Sequence, residues 1–295
     1  RLSQPPLVRF VASALTAGML YAPFDVTGAK FLWWTWHDTD AAVQERWLGV
    51  PVGSTMFTIM HTFCFHGLLH LFALRAPCLS TLRFVGALVG VCVFGTPAMM
   101  IAMGPSQLLQ LKIEDGVVTQ MPGRPDLPSL GLALAGLSVV AFFARLLSRR
   151  AAAPPHFMSV HAMSSAVDLA LWAAAAAYFC TLILVMAFGK PDMVVAEGIH
   201  QTYGECGVHD VDLSNYSRYK YLCQDNFDED FRFDCAPEQP LPPPTPSWFT
   251  LCGKPHSDHM TYLGAVAALS LAASITLAAM LGQSWAAPQK QSKRD

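Results

Sequence analysis

Six apolar stretches punctuate this chain of 295 residues, around Leu7 to Trp36, Val50 to Leu74, Leu82 to Gly104, Pro128 to Leu147, Ser164 to Gly189 and Met260 to Gly282. Each is near or above the roughly 20 residues that carry a helix across a bilayer. Inside lipid every backbone polar group must find its partner within the protein, which leaves helices and closed barrels as the only spanning forms. A composition that is 53% hydrophobic and only 14% charged, with a mean hydropathy of +0.36, departs from soluble-domain values in the same direction. The chain is therefore predicted to be all-α, a polytopic membrane helix bundle of about six spans. The first stretch is longer than a span needs, so its helix either tilts and protrudes or breaks at Pro23. One helix running on into an interfacial aromatic segment is the preferred expectation.

Charge sorting supplies an orientation. Arg1, Arg9, Arg75, Arg83, Arg145, Arg149, Arg150, Lys290, Lys293 and Arg294 fall in alternate inter-span segments, met by the single acid Asp295. The other segments hold nearly every carboxylate: Asp38, Asp40 and Glu45, then Glu114, Asp115 and Asp126, then a dense group from Asp192 to Asp258. Six spans with both termini on the basic side satisfy every loop, so the positive-inside bias predicts cytosolic termini in a plasma or secretory-pathway membrane. Organellar inner membranes obey similar charge rules. The sequence opens with no basic, apolar, small-residue leader, so a signal peptide is expected either to have been removed already or never to have been present, and the first span can itself serve as the targeting signal. The predicted organisation is 1–189 for spans 1–5 with short loops, 190–259 for an exterior cysteine-rich cap, 260–283 for span 6 and 284–295 for a basic inner tail.

Four of the eight cysteines, Cys206, Cys223, Cys235 and Cys252, fall in the exterior loop. An even number confined to one non-cytosolic segment reads as two disulfides, with three connectivities open. Zinc is the rival, but the loop has no Cys-x-x-Cys pair. The triplet NYS makes Asn215 a glycosylation acceptor, and "PEQPLPPPTPSWFTLCG" favours extended polyproline geometry over helix. The expectation is a disulfide-held, mostly irregular cap.

Three groups can carry chemistry. Asp25 and Lys30 lie in the first span, where a charge is costly unless it is paired or faces the interior. Five residues turn a helix by about 500°, leaving the two about 140° out of line, so each must find a partner elsewhere, distort the helix at Pro23, or snorkel to water. In the second span His66 and His70 are about 40° from alignment, a spacing compatible with a shared metal, with His156, His161 and Asp168 as further donors. Interhelical hydrogen bonding is the plainer use of those histidines. Finally, "FLWWTWHDTD" sets three tryptophans, expected at the headgroup belt, beside His37, Asp38 and Asp40, which share a face with Glu197, His200, Glu205 and His209 of the cap and suit proton transfer or a hard cation. Nothing resembles a nucleotide-binding glycine loop, a serine hydrolase elbow or a nucleic-acid patch. Bound lipids are expected; metal or haem is not.

"LYAPFDVTGAKFLWWTWHDTD", followed by "ERWLGVPVGSTMF" and later "EGIHQTYGECG", resembles an uncharacterised family of eukaryotic multi-pass membrane proteins with a tryptophan-rich WHDTD block. The resemblance implies a common fold and no established activity. A fainter likeness, W-x-W followed by GVP, is similar to membrane carotenoid hydratases and cyclases, whose acidic residues act on isoprenoid double bonds; no catalytic role is carried across from it.

The leading expectation is an integral membrane assembly or anchoring component that binds a protein partner through its exterior cap. One rival is an enzyme acting on a lipid or isoprenoid with Asp25, His37, Asp38 and Asp40 as acid/base groups. Another is a transporter or proton pathway through Asp25, Lys30, His61 and Asp168, although no inverted repeat is visible.

Overall fold

A computed structural model describes residues 6–36, 46–74, 80–108, 111–114, 117–120, 131, 134–138, 142, 165–199, 204–211, 217–221, 231–233, 235 and 248–282. Helix α1 (Pro6–Lys30) has 25 residues, about 37 Å at 1.5 Å per residue and so longer than the roughly 30 Å hydrocarbon layer. It continues through Pro23 without a break. Proline removes one N–H and disturbs the preceding turn; there the Tyr178 hydroxyl, from a neighbouring helix, donates to the Leu20 carbonyl at 3.3 Å.

A two-residue hairpin follows, β1 (Arg46–Trp47) paired with β2 (Val50–Pro51). Leu48 and Gly49 turn it with φ of 52° and 81°, the left-handed pair of a type I′ turn. Helix α2 (Val52–Leu69) runs back along α1 and passes into a π-helical turn at His70–Leu74. Helix α3 (Thr81–Leu108) packs on α2. A hairpin, β3 (Leu111–Glu114) with β4 (Val117–Gln120), follows. Helical backbone recurs at 134–138. Helix α4 (Ser165–Phe188) and the last helix, α5 (His259–Gly282), pack on each other and on α1, which makes α1 the hub of the bundle.

Four helices are long and apolar enough to cross a membrane among the described residues: Pro6–Lys30, Thr81–Gly104, Leu169–Phe188 and His259–Leu277. Helix α2 is not one of them, because Ser54, Thr55, Thr58, His61, Thr62 and His66 dilute its apolar content. Most of the fourth apolar stretch lies outside the described residues, so the described spans are four where the sequence predicts about six. Several threonine hydroxyls in the helices bond back one turn. Thr16 donates to Ala12 O at 2.8 Å, Thr27 to Pro23 O at 2.7 Å, Thr181 to Ala177 O at 2.9 Å and Thr276 to Ala272 O at 2.9 Å. In a medium without water this is how an isolated hydroxyl is satisfied.

The segment between α4 and α5 holds more regular structure than the predicted irregular cap. After a 3₁₀ turn at Pro191–Met193, β5 (Val195–Ile199), β8 (Phe231–Arg232) and β9 (Trp248–Gly253) form an antiparallel sheet in the order β5-β9-β8. A separate hairpin joins β6 (His209–Val211) to β7 (Ser217–Tyr219). The physical reason is alternation: Ala196 and Leu251 turn to one face, where Leu251, Phe231 and Leu32 form a small core, while Val195 and Trp248 turn to the other and are 65% and 70% exposed. A disulfide joins Cys235 to Cys252 with Cα atoms 5.9 Å apart.

Candidate functional site

The residues that chemistry singled out in the first span meet where the bundle joins the cap. Helix α1 ends in a Schellman motif. Trp33 N–H donates to Gly28 O at 2.8 Å and Leu32 N–H to Ala29 O at 3.3 Å, with Leu32 at φ 56°. Glycine is the usual residue there, since a left-handed φ costs a side-chain-bearing residue about 1–2 kcal/mol. Leucine is held in place because its side chain is buried against Phe231 and Leu251 of the cap sheet.

That reversal sends Trp34 back along the helix it has just left. Its indole N–H donates to Asp25 Oδ1 at 3.1 Å, and the Ser54 hydroxyl, from the first turn of α2, donates to Asp25 Oδ2 at 2.5 Å. Asp25 is 0% exposed. The indole lies so close over Gly28 that a Cβ there would overlap the ring. One carboxylate thus ties together α1, the turn that follows it and α2.

Lys30 is 2% exposed and serves the opposite side of the helix. Its ammonium donates to Pro255 O at 3.1 Å and sits 5.3 Å from the centroid of the Tyr262 ring, a cation–π arrangement. The Tyr262 ring also packs on His256 at 5.0 Å, and His256 stacks on His259 at 4.9 Å. His259 donates from Nε2 to Met186 O of α4, 2.9 Å away. Asp258 begins α5: it accepts from Met260 N–H at 3.1 Å and from the Thr261 hydroxyl. The Thr261 hydroxyl bond, with the backbone N–H groups of Thr261 and Met260, holds the Asp258 carboxyl below the usual carboxylate range.

Among the sequence alternatives for Asp25 and Lys30, separate partners hold. The helix is unbroken, and neither side chain snorkels to water. The tryptophans divide in a way the belt expectation does not contain. Trp33 is 48% exposed, as a headgroup anchor requires, whereas Trp34 is turned inward as a hydrogen-bond donor. Trp36 packs against the core that joins α1, α4 and α5, and its carbonyl accepts from Arg46 Nη2 at 3.0 Å.

His37, Asp38, Asp40, His200, Asn215 and Cys223 lie outside the described residues, as do His156 and His161. Cys206 is disulfide-bonded, like Cys235 and Cys252. Glu197, Glu205 and His209 are exposed on the cap, and His209 packs on the Tyr219 ring at 4.9 Å. In α2, His61 stacks on Phe57 at 5.8 Å, while His66 lies edge-on to Phe65 at 5.7 Å. His70 packs on Phe10 of α1 at 5.5 Å. Among the described residues no group of three or more His, Cys, Asp or Glu side chains is placed to hold a metal ion. Ser54, Leu32, Pro255 and Tyr262 are the members of the junction that residue type alone did not mark, and Trp34 was marked only as a belt residue.

A family model described as a domain of unknown function, DUF7802, matches residues 1–282. The chain belongs to the DUF7802 family. No curated protein and no solved structure matches it. The DUF7802 match takes in the whole junction, from Asp25 to Tyr262, and every described helix. It is consistent with the resemblance to an uncharacterised family.

Proposed function

We propose that this DUF7802 protein is an integral membrane assembly or anchoring component, a bundle of about six spans that presents a rigidly attached exterior cap to a protein partner. One observation carries this reading: Asp25 and Lys30, the two buried charged residues among the described residues, both hold the cap end of the bundle together. Both Asp25 oxygens are taken by protein donors in an apolar surround, which suits a structural tie better than proton transfer. The outward face of the β5–β9 pair, meanwhile, leaves Trp248 and Val195 exposed. An exposed tryptophan on a rigid element is a characteristic anchor of protein interfaces.

On this reading the termini are cytosolic, Asn215 carries glycan and the cap faces the lumen or cell exterior, with a second disulfide completing Cys206. The test is purification of the full chain in mild detergent after cross-linking through a photoreactive residue substituted for Trp248. A defined co-purifying protein joined at that position is expected. A monomer that carries no protein, with unchanged behaviour on Trp248→Ala, overturns the reading.

A further inference from the structure

Between the cap-side ends of α1 and α2 lies a cleft of about 100 Å³ lined by Ala22, Val26, Trp47, Val50, Pro51, Val52 and Thr55. We propose that it seats an acyl chain of a lipid in the cap-side leaflet, making a specific lipid part of the folded molecule. Four observations support this assignment. The lining is hydrocarbon apart from the Thr55 hydroxyl and the Trp47 indole N–H, too few polar partners to hold ordered water. The volume is of the order of the roughly 150 Å³ apolar cavity that stays dry and admits benzene, so it takes a short run of methylenes rather than a whole lipid.

The walls are also built before any ligand arrives. The Leu48–Gly49 turn and the pairing of Trp47 with Val50 fix one side. The Ser54–Asp25 hydrogen bond sets the separation of the two helices. Toward the bilayer centre the helices close up, since a Cβ on Gly18 would lie 2.6 Å from the Ile59 side chain. Such preorganisation lowers the ordering cost of binding a flexible chain. Finally, the cleft lies against a helix long and apolar enough to cross a membrane: Ala22 of α1, with Val52 and Thr55 of α2, is half-buried, and Trp47 is 49% exposed at its rim. Hydrocarbon is the solvent at that depth.

The full chain, reconstituted in phosphatidylcholine vesicles, is irradiated with a phosphatidylcholine carrying a diazirine on one acyl chain, and the adducts are mapped by peptide mass spectrometry. Adducts on residues 22–26 and 47–55 are expected at several-fold excess over the exposed α3 positions Val93, Phe94 and Ile101. Filling the cleft with Ala22→Phe or Val52→Phe is expected to reduce cleft adducts to the α3 level and leave the α3 adducts unchanged. Even labelling of all lipid-facing positions in the unaltered chain overturns the proposal, whether or not the filled variants fold. So does selective cleft labelling by a photoreactive sterol with none by the acyl probe.

Discussion

The indole N–H of Trp34 donates to the carboxylate of Asp25, nine residues back along the chain and on the helix that the tryptophan has just left. The bond exists because Leu32 reverses the backbone, and its acceptor is fixed from the other side by Ser54. Removing the donor with Trp34→Phe preserves much of the ring packing and leaves one carboxylate oxygen without its partner. A loss of about 1.5–3 kcal/mol is expected from denaturant unfolding in detergent, the range for hydrogen bonds to charged groups. A double-mutant cycle with Ser54→Ala should show coupling through the shared carboxylate.

Leu32 yields an inverted order of substitution. At most buried sites glycine is worse than alanine. Here Leu32→Ala loses the packing on Phe231 and Leu251 and keeps the left-handed strain, whereas Leu32→Gly loses the same packing and sheds the strain. Both should destabilise, with the alanine variant lower by about 1–2 kcal/mol. Thermal unfolding of the two variants side by side decides it, and alanine equal to or above glycine would contradict the geometry.

Lys30→Met keeps the apolar stem but leaves the Pro255 carbonyl without its donor and the Tyr262 face without its cation. The expected cost is about 1–3 kcal/mol. Limited proteolysis should show faster cutting between Lys254 and Asp258 than in the unaltered chain. Arginine at the same position, cationic but with a larger fork, should restore part of the protection.

The Cys235–Cys252 bridge closes a sequence separation of 17 residues, for which loop-closure entropy gives a stabilisation of about 3 kcal/mol. Cys235→Ser with Cys252→Ser should lower cap stability by that order. Hydrogen exchange should rise first in β8 and β9, while amides in α1 and α5 remain protected.

Asp258 gives the cap-side end of α5 an acid dependence of defined sign. Its folded carboxyl is held below its unfolded value by Thr261 and the first amides of the helix, so the folded state binds fewer protons. The stabilisation is fully present above the ordinary carboxylate value of about 3.9 and is lost as pH falls through the lower folded value. The protection of the Met260 and Tyr262 amides, measured relative to their intrinsic exchange rates, should therefore fall on acidification below about pH 4, and Asp258→Asn should remove most of that pH response.

The bundle was legible because apolar length is a strong signal, and the burden of Asp25 and Lys30 was legible because charge in a span demands an answer. Helical geometry alone separated the two side chains. Their actual partners were hidden for a local reason: both reversals that build the junction use leucine, Leu32 at φ 56° and Leu48 at φ 52°, where turn chemistry in sequence is read from glycine and asparagine. Burial against the cap sheet holds Leu32 in the left-handed region, and packing of the half-buried Leu48 on the core of α1, α4 and α5 accompanies its own, which is a property of the folded neighbourhood rather than of the tripeptide. The same concealment applies to Trp34, whose residue type reads as a belt anchor until the reversal turns it inward. In the cap, proline density masked short strands whose alternation, as in "WFTLCG", is only six residues long.

The bond from Lys30 to Pro255 joins residues 225 positions apart. At synthesis rates of about 5–20 residues per second, the two are made some 11–45 s apart. During that interval the first helix has a buried-type ammonium without its carbonyl and without the Tyr262 face. A chain that stops before Pro255 lacks both this acceptor and the Tyr262 ring, so these two contacts of Lys30 close only when the last part of the sequence has been made.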